Sequence, residues 1–348
     1  MSVLTHVADR LSGGKITKRD FDTRLERFVK TSRYEDGDER ALVDAFLKSS
    51  GAWLTEGSRM VAARTPSYDF AHARDVLGLW RESDSFDRTL GQLRRDGYAI
   101  LDVDLPESTV STLADYFAKA PCTLTSDKGS HLAADDRVTV DFDNPLAEKY
   151  AVETDAVVQN PLVRELVLDR GLLEIAQAYV GSAPTIDIMT AWYSFPSDSP
   201  SHEAAQLFHF DLDRVKWLKA FFLLTDQTAE TGAHLYVPGT QADGGISEKL
   251  LERGYARLED DEVAAFYPRD TWKTMEAPKG KILLEDTRGL HKGISLKRDH
   301  RLMLQFEYAQ TLFGLPPDLA RTTLSPIEDE YWNRMQAAYP LLFSALKR

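Results

Sequence analysis

The sequence predicts a mainly β domain with helices packed around it, and two patterns of apolar residues lead to that prediction. Three segments have the composition of strands: an aromatic, apolar run at 217–225, a short run at 282–284 and a strand candidate at 301–309. Toward both ends of the chain, apolar residues instead recur at helical spacing. A chain of 348 residues with 43% hydrophobic content can bury a sizeable core, and one barrel with helical additions accounts for that length.

Residues 1–84 are expected to form a helical extension outside the β domain. Apolar side chains share one helical face in each of two segments, which are Phe21, Leu25, Phe28 and Val29 and then Leu42, Phe46 and Leu47. Such faces need a partner surface. We therefore expect the extension to cap the β domain or to form a contact in a homodimer, and we favour this over a separate binding module.

The tail, residues 313–348, is expected to pack as another helix. Leu315-Pro316-Pro317 ends any preceding helix or strand, and apolar residues then follow at near-helical spacing: Ile327, Tyr331, Met335, Ala338 and Leu342. The central residues, 85–312, are therefore assigned to the β domain.

Charge and composition exclude several classes of function. The chain has 42 basic and 55 acidic residues, a net charge of −13, so it has no general basic field for nucleic acid or an anionic membrane. No stretch approaches the roughly 20 apolar residues of a membrane span. A single cysteine, Cys122, permits no intrachain disulfide, and the first ten residues lack the apolar core of a signal peptide. These features predict a cytoplasmic protein whose partners are neither nucleic acid nor a membrane.

The most informative motif is His209-Phe210-Asp211, with His291 and Arg301 further along the chain. Two imidazoles and one carboxylate form the facial triad that holds non-haem Fe(II) and leaves positions open for other ligands. The first pair suits a strand, because side chains two positions apart emerge on the same face. Arg301 adds a guanidinium, which can pair with a carboxylate through two parallel hydrogen bonds.

Two other kinds of protein use similar residues. A jelly-roll protein that binds zinc for hydrolysis or isomerisation would also employ His and Asp, but it has no need of Arg301 in this register. A catalytically silent ligand-binding barrel would be expected to lose members of the triad, whereas His209, Asp211 and His291 are all present. We therefore rank both alternatives below the hypothesis of an iron-dependent oxygenase.

Residues 85–310 resemble the phytanoyl-CoA dioxygenase family of Fe(II)- and 2-oxoglutarate-dependent oxygenases. Besides the triad and Arg301, the matching motifs are Asp96-Gly97-Tyr98-Ala99-Ile100-Leu101, Leu223-Leu224-Thr225-Asp226, Thr231-Gly232-Ala233-His234-Leu235-Tyr236-Val237-Pro238-Gly239-Thr240 and Asp286-Thr287-Arg288-Gly289-Leu290-His291-Lys292-Gly293. The resemblance implies a double-stranded β-helix, the cupin-like jelly roll, with helices on one side. It also implies Fe(II) bound by the triad, 2-oxoglutarate anchored by Arg301, and hydroxylation of an aliphatic C–H bond by O2 with release of succinate and CO2.

The chain departs from the family pattern near the anchor. Gly293 stands where a small hydroxyl residue often helps to hold 2-oxoglutarate, so we expect Ser295 or Tyr193 to act with Arg301. Asp211 is retained, whereas halogenating relatives replace this carboxylate with a small residue, so hydroxylation is favoured over halogenation.

Strand alternation adds expectations about orientation. Pro196 resembles the family's proline on the strand that lines the co-substrate pocket, and counting back from it implies that Tyr193 points into that pocket, although an aromatic core position is an equal alternative. Lys219 either lines the pocket as a second cation or extends its ammonium to solvent at a strand edge, and we favour the latter. Arg298 is a fallback anchor if Arg301 is out of register. From Arg301, the odd-numbered residues form the more polar face, which we expect to face the site.

Overall fold

The computed structural model describes residues 16–79, 84–125, 137–196, 206–314 and 322–347. Within them the helices are α1 (Lys18–Thr31), α2 (Asp38–Ser49), α3 (Ala52–Ala62), α4 (Asp84–Asp96), α5 (Glu107–Phe117), α6 (Thr154–Gln159), α7 (Pro161–Val167), α8 (Arg170–Val180), α9 (Glu248–Leu251), α10 (Asp260–Ala264) and α11 (Glu330–Ala338). The strands are β1 (Tyr98–Asp104), β2 (Cys122–Thr125), β3 (Lys149–Val152), β4 (Thr185–Ser194), β5 (Trp217–Leu223), β6 (His234–Tyr236), β7 (Lys273–Met275), β8 (Lys281–Glu285), β9 (His291–Gly293), β10 (Arg301–Ala309), β11 (Thr322–Thr323) and β12 (Leu346–Lys347). Short 3-10 turns lie at Arg269–Thr271 and Pro340–Phe343.

Two antiparallel sheets form the core. The large sheet has seven strands in the order β1-β8-β5-β10-β4-β3-β2, and the small one has three in the order β7-β6-β9. A two-stranded parallel pair, β11 and β12, lies apart from both. Strands distant in sequence are neighbours in the large sheet, as in a jelly roll. The predicted β core with flanking helices is confirmed.

The two faces of the large sheet differ because side chains alternate along each strand. On one face Leu302, Leu304 and Phe306 of β10 join the main apolar core, which also contains residues of α4, α5, α7 and α8. On the other face, Arg301 and Gln305 line a cavity. The odd-numbered face of β10 therefore carries the site, as the alternation predicts.

The N-terminal helices cover the chain around the His-x-Asp motif. Phe21, Leu25 and Phe28 of α1 are buried in a second apolar cluster that also contains Phe210. The ring of Phe46 on α2 stacks on that of Phe210 with centroids 5.3 Å apart. The segments with helical spacing are thus helices, and the apolar faces of α1 and α2 pack against the segment that carries His209 and Asp211.

The predicted tail helix is present as α11, which begins after its N-cap Asp329 and buries Tyr331 and Met335. Leu342 lies beyond it, in a 3-10 turn. The predicted breaker, Leu315-Pro316-Pro317, falls outside the described residues. In the part of the chain that is described, no helix is both long and apolar enough to cross a membrane.

Candidate metal and co-substrate site

Backbone pairing brings the two histidines of the motif together. His209 and His291 form an antiparallel bridge in which each backbone N–H donates to the other's carbonyl oxygen, at 3.0 and 2.9 Å. The backbone N–H of Asp211 donates to the carbonyl oxygen of Thr287 at 2.7 Å. Two chain segments that are distant in sequence therefore hold one another in register, and the side chains follow from that register.

The three predicted ligands converge on one point. One ligand atom of each of His209, Asp211 and His291 can be chosen so that all lie within 4.8 Å of one another. The Nε2 atoms of His209 and His291 lie 3.8 and 3.7 Å from carboxylate oxygens of Asp211. All three side chains are buried. This separation leaves room for one ion between the donors, at the roughly 2.0–2.2 Å bond lengths that such ligands adopt with a divalent metal.

The histidine rings are oriented by backbone carbonyls. Nδ1 of His209 lies 2.9 Å from the carbonyl oxygen of Leu207, and Nδ1 of His291 lies 2.9 Å from that of Gly289. Nδ1–H is therefore the donor in each ring, and the lone pair of Nε2 faces the convergence point. Gly289 is required here, because a Cβ would overlap the hydroxyl of Tyr236.

The charges of the triad suit a cation. Burial lowers the pKa of both His209 and His291 below its ordinary value, so the imidazoles are neutral donors. Burial alone would raise the pKa of Asp211, but the Lys219 ammonium beside it holds that pKa well below its usual range. Two neutral nitrogens and one carboxylate form the donor set of a facial triad, so these residues fit a non-haem Fe(II).

Lys219 contacts the triad, and the preferred prediction of a solvent-exposed ammonium was wrong. Its Nζ lies 2.7 Å from Asp211 and 2.8 Å from Asp213, with Glu307 at 3.5 Å, and the residue is 6% exposed. Burial lowers the pKa of Lys219, but these carboxyl groups raise it well above its ordinary value. Its strand, β5, lies between β8 and β10 inside the large sheet and not at a sheet edge. Lys219 lines the cavity with its charge already engaged.

Arg301 lies in the same cavity as the triad and is 4% exposed. Its Nη1 donates to the carbonyl oxygen of Gly232, its Nη2 donates to Ser194 Oγ at 3.2 Å, and its Nε is buried without a hydrogen-bond partner. Burial lowers the pKa of Arg301 to about 10. None of these contacts is anionic, so the guanidinium remains available to a carboxylate.

The hydroxyl group beside Arg301 is not the one that the sequence predicted. Ser295 donates to Gln206 Oε1 at 3.1 Å and does not line the cavity, so the hydroxyl that contacts the guanidinium belongs to Ser194. The fallback anchor, Arg298, is exposed and pairs with Glu230 at 2.8 Å. Gly293 does line the cavity. The sequence could not reveal Ser194 because its contact depends on the pairing of β10 with β4.

The inward orientation predicted for Tyr193 was wrong. Directly paired residues of neighbouring strands point to the same face, and Arg301 pairs with Ser194 while Met303 pairs with Trp192. The even-numbered residues of β4 therefore face the cavity. Tyr193 pairs with Leu302 on the opposite face, where its hydroxyl lies 3.5 Å from the carbonyl oxygen of Ala114. The alternative position, in the aromatic core, is where it lies.

The cavity measures about 140 Å³ and contains residues that motif reasoning did not find. Trp192 and Phe221 supply apolar wall, and Lys149 on β3 and Arg257 in the excursion between β6 and β7 supply two further cations. His234 also lines it, with Nδ1 2.9 Å from Glu285 Oε2. Lys149 and Arg257 belong to no motif of the sequence, so only the tertiary structure places them at the cavity.

The chain was compared with models of known protein families and with known proteins. A family model described as phytanoyl-CoA dioxygenase (PhyH) matches residues 93–295, more than half of the chain. No curated protein matches the sequence at a significant level.

Three solved structures are reported as similar to this chain. EctD from S. alaskensis in its apoform has 17% identity and a TM-score of 0.45, covering 70% of this chain and 82% of its own. HygX from Streptomyces hygroscopicus, with nickel and 2-oxoglutarate bound, has 20% identity and a TM-score of 0.44, covering 64% and 86%. SnoN, a non-heme alpha ketoglutarate dependent epimerase from nogalamycin biosynthesis, has 20% identity and a TM-score of 0.41, covering 64% and 81%.

Proposed function

The chain belongs to the phytanoyl-CoA dioxygenase family, and we propose that it hydroxylates an aliphatic C–H bond of a small molecule. Membership makes it an Fe(II)- and 2-oxoglutarate-dependent oxygenase. In the proposed reaction the substrate C–H becomes C–OH, one atom of O2 enters the substrate, the other enters succinate, and CO2 is released. The observation that carries the proposal is the convergence of His209, Asp211 and His291 beside a cavity that contains Arg301.

His209, Asp211 and His291 would hold the metal through two imidazole nitrogens and one carboxylate oxygen. When bound in such a site, Fe(II) and 2-oxoglutarate supply the oxidising power for the cleavage of an unactivated C–H bond. The protein's part is to keep the ligands in place. The carbonyls of Leu207 and Gly289 fix the two rings, and Lys219 fixes the carboxylate of Asp211.

The presence of Asp211 supports oxygen insertion over halogenation. A halogenating site needs space for a halide beside the metal, and the Asp211 carboxylate occupies that space. Lys219 holds one oxygen of this carboxylate at 2.7 Å, so the side chain is not free to leave the site.

Arg301 would bind the carboxylate of 2-oxoglutarate that lies farther from the metal. Its Nη groups are held by Gly232 and Ser194, which sets the plane of the guanidinium before any ligand arrives. Since the group is buried without an anionic contact, a carboxylate can recover the free energy that its burial costs. The apolar walls of Trp192 and Phe221 exclude water around the reacting atoms.

The proposal is tested by anaerobic calorimetric titration of 2-oxoglutarate into the Fe(II)-loaded protein. Arg301→Met removes two charge-assisted hydrogen bonds worth about 1.5–3 kcal/mol each, so we expect the Kd of 2-oxoglutarate to rise about a hundredfold or more. Arg298→Met is the matched control, since Arg298 is exposed and paired with Glu230, and it should leave the Kd unchanged. His209→Ala should abolish Fe(II) binding itself.

Hydroxylation is then tested by screening small molecules for substrate-dependent succinate release and by mass spectrometry of the product. A gain of one oxygen atom, labelled when 18O2 is used, is expected. Loss of two hydrogens, or inversion at a stereocentre without oxygen gain, would overturn hydroxylation while leaving the oxygenase family intact. Equal 2-oxoglutarate affinity in the wild type and Arg301→Met would overturn the assignment of the anchor.

A further inference from the structure

The cavity holds more positive charge than the metal site and its co-substrate require. Four cationic side chains line it, Lys149, Lys219, Arg257 and Arg301, against the carboxylates of Asp211 and Asp213. Lys219 engages both carboxylates, at 2.7 and 2.8 Å. The charges of a divalent metal and a dianionic co-substrate cancel one another. The side chains that line the cavity therefore retain an excess of two positive charges when both are bound.

Arg257 is held beside the triad by its backbone. The next residue, Leu258, forms an antiparallel bridge with Phe208, with N–O distances of 3.1 and 2.9 Å, and Phe208 directly precedes His209. The excursion between β6 and β7 is therefore tied to the metal-binding segment at this point. The side chain of Arg257 lines the same cavity as Arg301.

The guanidinium of Arg257 has no anionic partner among the described residues, and its Nη1 is buried without a hydrogen bond. Lys149 lines the same cavity, where burial first, and then Arg301 and Arg257, lower its pKa to about 8. The Nζ of Lys149 lies 5.0 Å from the ring centroid of Trp192. Arg257, Lys149 and Trp192 line the same cavity, and neither cation forms an ion pair among the described residues. Such an arrangement costs free energy until an anion occupies it.

We propose that Arg257 binds an anionic group, a carboxylate or a phosphate, of the prime substrate. The inference rests on the proposed function, since it assumes that Arg301 and the triad take the co-substrate and the metal. Guanidinium offers either anion two parallel N–H donors, and Trp192 offers its ring to the apolar part of the same molecule. The substrate class is therefore small organic acids or phosphate esters rather than neutral molecules.

The test uses the protein loaded with Fe(II) and saturated with 2-oxoglutarate under anaerobic conditions, so that Arg301 is already occupied. Benzoate, phenyl phosphate and their uncharged counterpart benzamide are titrated by calorimetry. We expect the wild type to bind at least one of the two anions and not benzamide. Arg257→Gln should raise the Kd of that anion about tenfold or more, Arg257→Lys less, and both should leave the Kd of 2-oxoglutarate unchanged.

Arg253→Gln is the matched control, because Arg253 lies in the same excursion, is 43% exposed in its side chain and pairs with Glu262. It carries the same change in net charge and should leave anion binding intact. The inference is overturned if benzamide binds as well as the anions, if neither anion binds, or if Arg257→Gln binds the anion as the wild type does. A large loss of 2-oxoglutarate affinity in Arg257→Gln would also overturn it. If the wild type binds no 2-oxoglutarate at all, the proposed function fails instead.

Discussion

Replacing Lys219 by Met should destabilise the metal-free protein and make metal binding more stabilising. Lys219 is 6% exposed and lies 2.7 and 2.8 Å from Asp211 and Asp213. Glu307 is farther from Lys219, at 3.5 Å, and burial raises the pKa of its carboxyl group well above the ordinary value, so Asp211 and Asp213 are the main counter-charges of Lys219. The substitution therefore leaves two buried carboxylates without their cation, whereas the unbranched Met side chain keeps most of the packing.

Breaking a buried ion pair by removing one partner costs about 3–5 kcal/mol. That is a large share of the 5–15 kcal/mol by which a typical domain is stable, and it corresponds to a fall in Tm on the order of 5–10 °C. A divalent metal changes the balance, because it supplies Asp211 with a new counter-charge. The increase in Tm on adding metal should therefore be larger in Lys219→Met than in the wild type.

The assay is thermal unfolding with and without Fe(II) under anaerobic conditions. Lys281→Met is the matched control, since Lys281 also extends from a strand of the large sheet but pairs with Asp104 near the surface, with 26% and 60% of the two side chains exposed. It should cost less than about 1 kcal/mol. The reasoning is refuted if the metal-free Lys219→Met variant unfolds at the wild-type temperature, or if metal raises its Tm by no more than it raises that of the wild type.

Three further outcomes are expected. Burial lowers the pKa of Lys149 to about 8 from its ordinary 10.5. Between these pH values the unfolded chain binds more protons, so the free energy of unfolding should rise with pH by up to about 3 kcal/mol, and denaturant titration of Lys149→Met should show this rise removed. Ser194→Ala removes one hydrogen bond to Arg301 and should raise the Kd of 2-oxoglutarate about fivefold by calorimetry, whereas Ser295→Ala should leave it unchanged. Tyr193→Phe should leave both that Kd and the Tm nearly unchanged, because its hydroxyl only reaches Ala114 at 3.5 Å.

The sequence was most informative where the chemistry is local. The spacing of His209 and Asp211, two positions apart in one short segment, indicates a metal site, and the polar face of β10 identifies Arg301 and its orientation. The apolar spacing of Phe21, Leu25 and Phe28 likewise predicts a helix, which the structure shows as α1. In each case the pattern spans only a few residues, so the periodicity of the sequence is enough to predict the element and the face on which its side chains lie.

The errors lie where orientation depends on a neighbouring strand. Alternation along β4 says which residues share a face, but not which of the two faces meets the site, and the count from Pro196 chose the wrong one for Tyr193. The pairing of Arg301 with Ser194 decides it, since directly paired residues point the same way. The prediction for Lys219 failed for a related reason, because only strand pairing shows that β5 is an interior strand and not an edge strand.

The sequence by itself determined the class of the protein: a β core with flanking helices, the three candidate metal ligands and the arginine that accompanies them. The tertiary structure alone decided what surrounds them, namely the contact of Lys219 with Asp211, the choice of Ser194 over Ser295, and the entry of Lys149 and Arg257 into the same cavity. The physical reason is that ligand chemistry depends on residue type and short spacing. The charge and shape of a pocket depend on side chains that distant segments bring together.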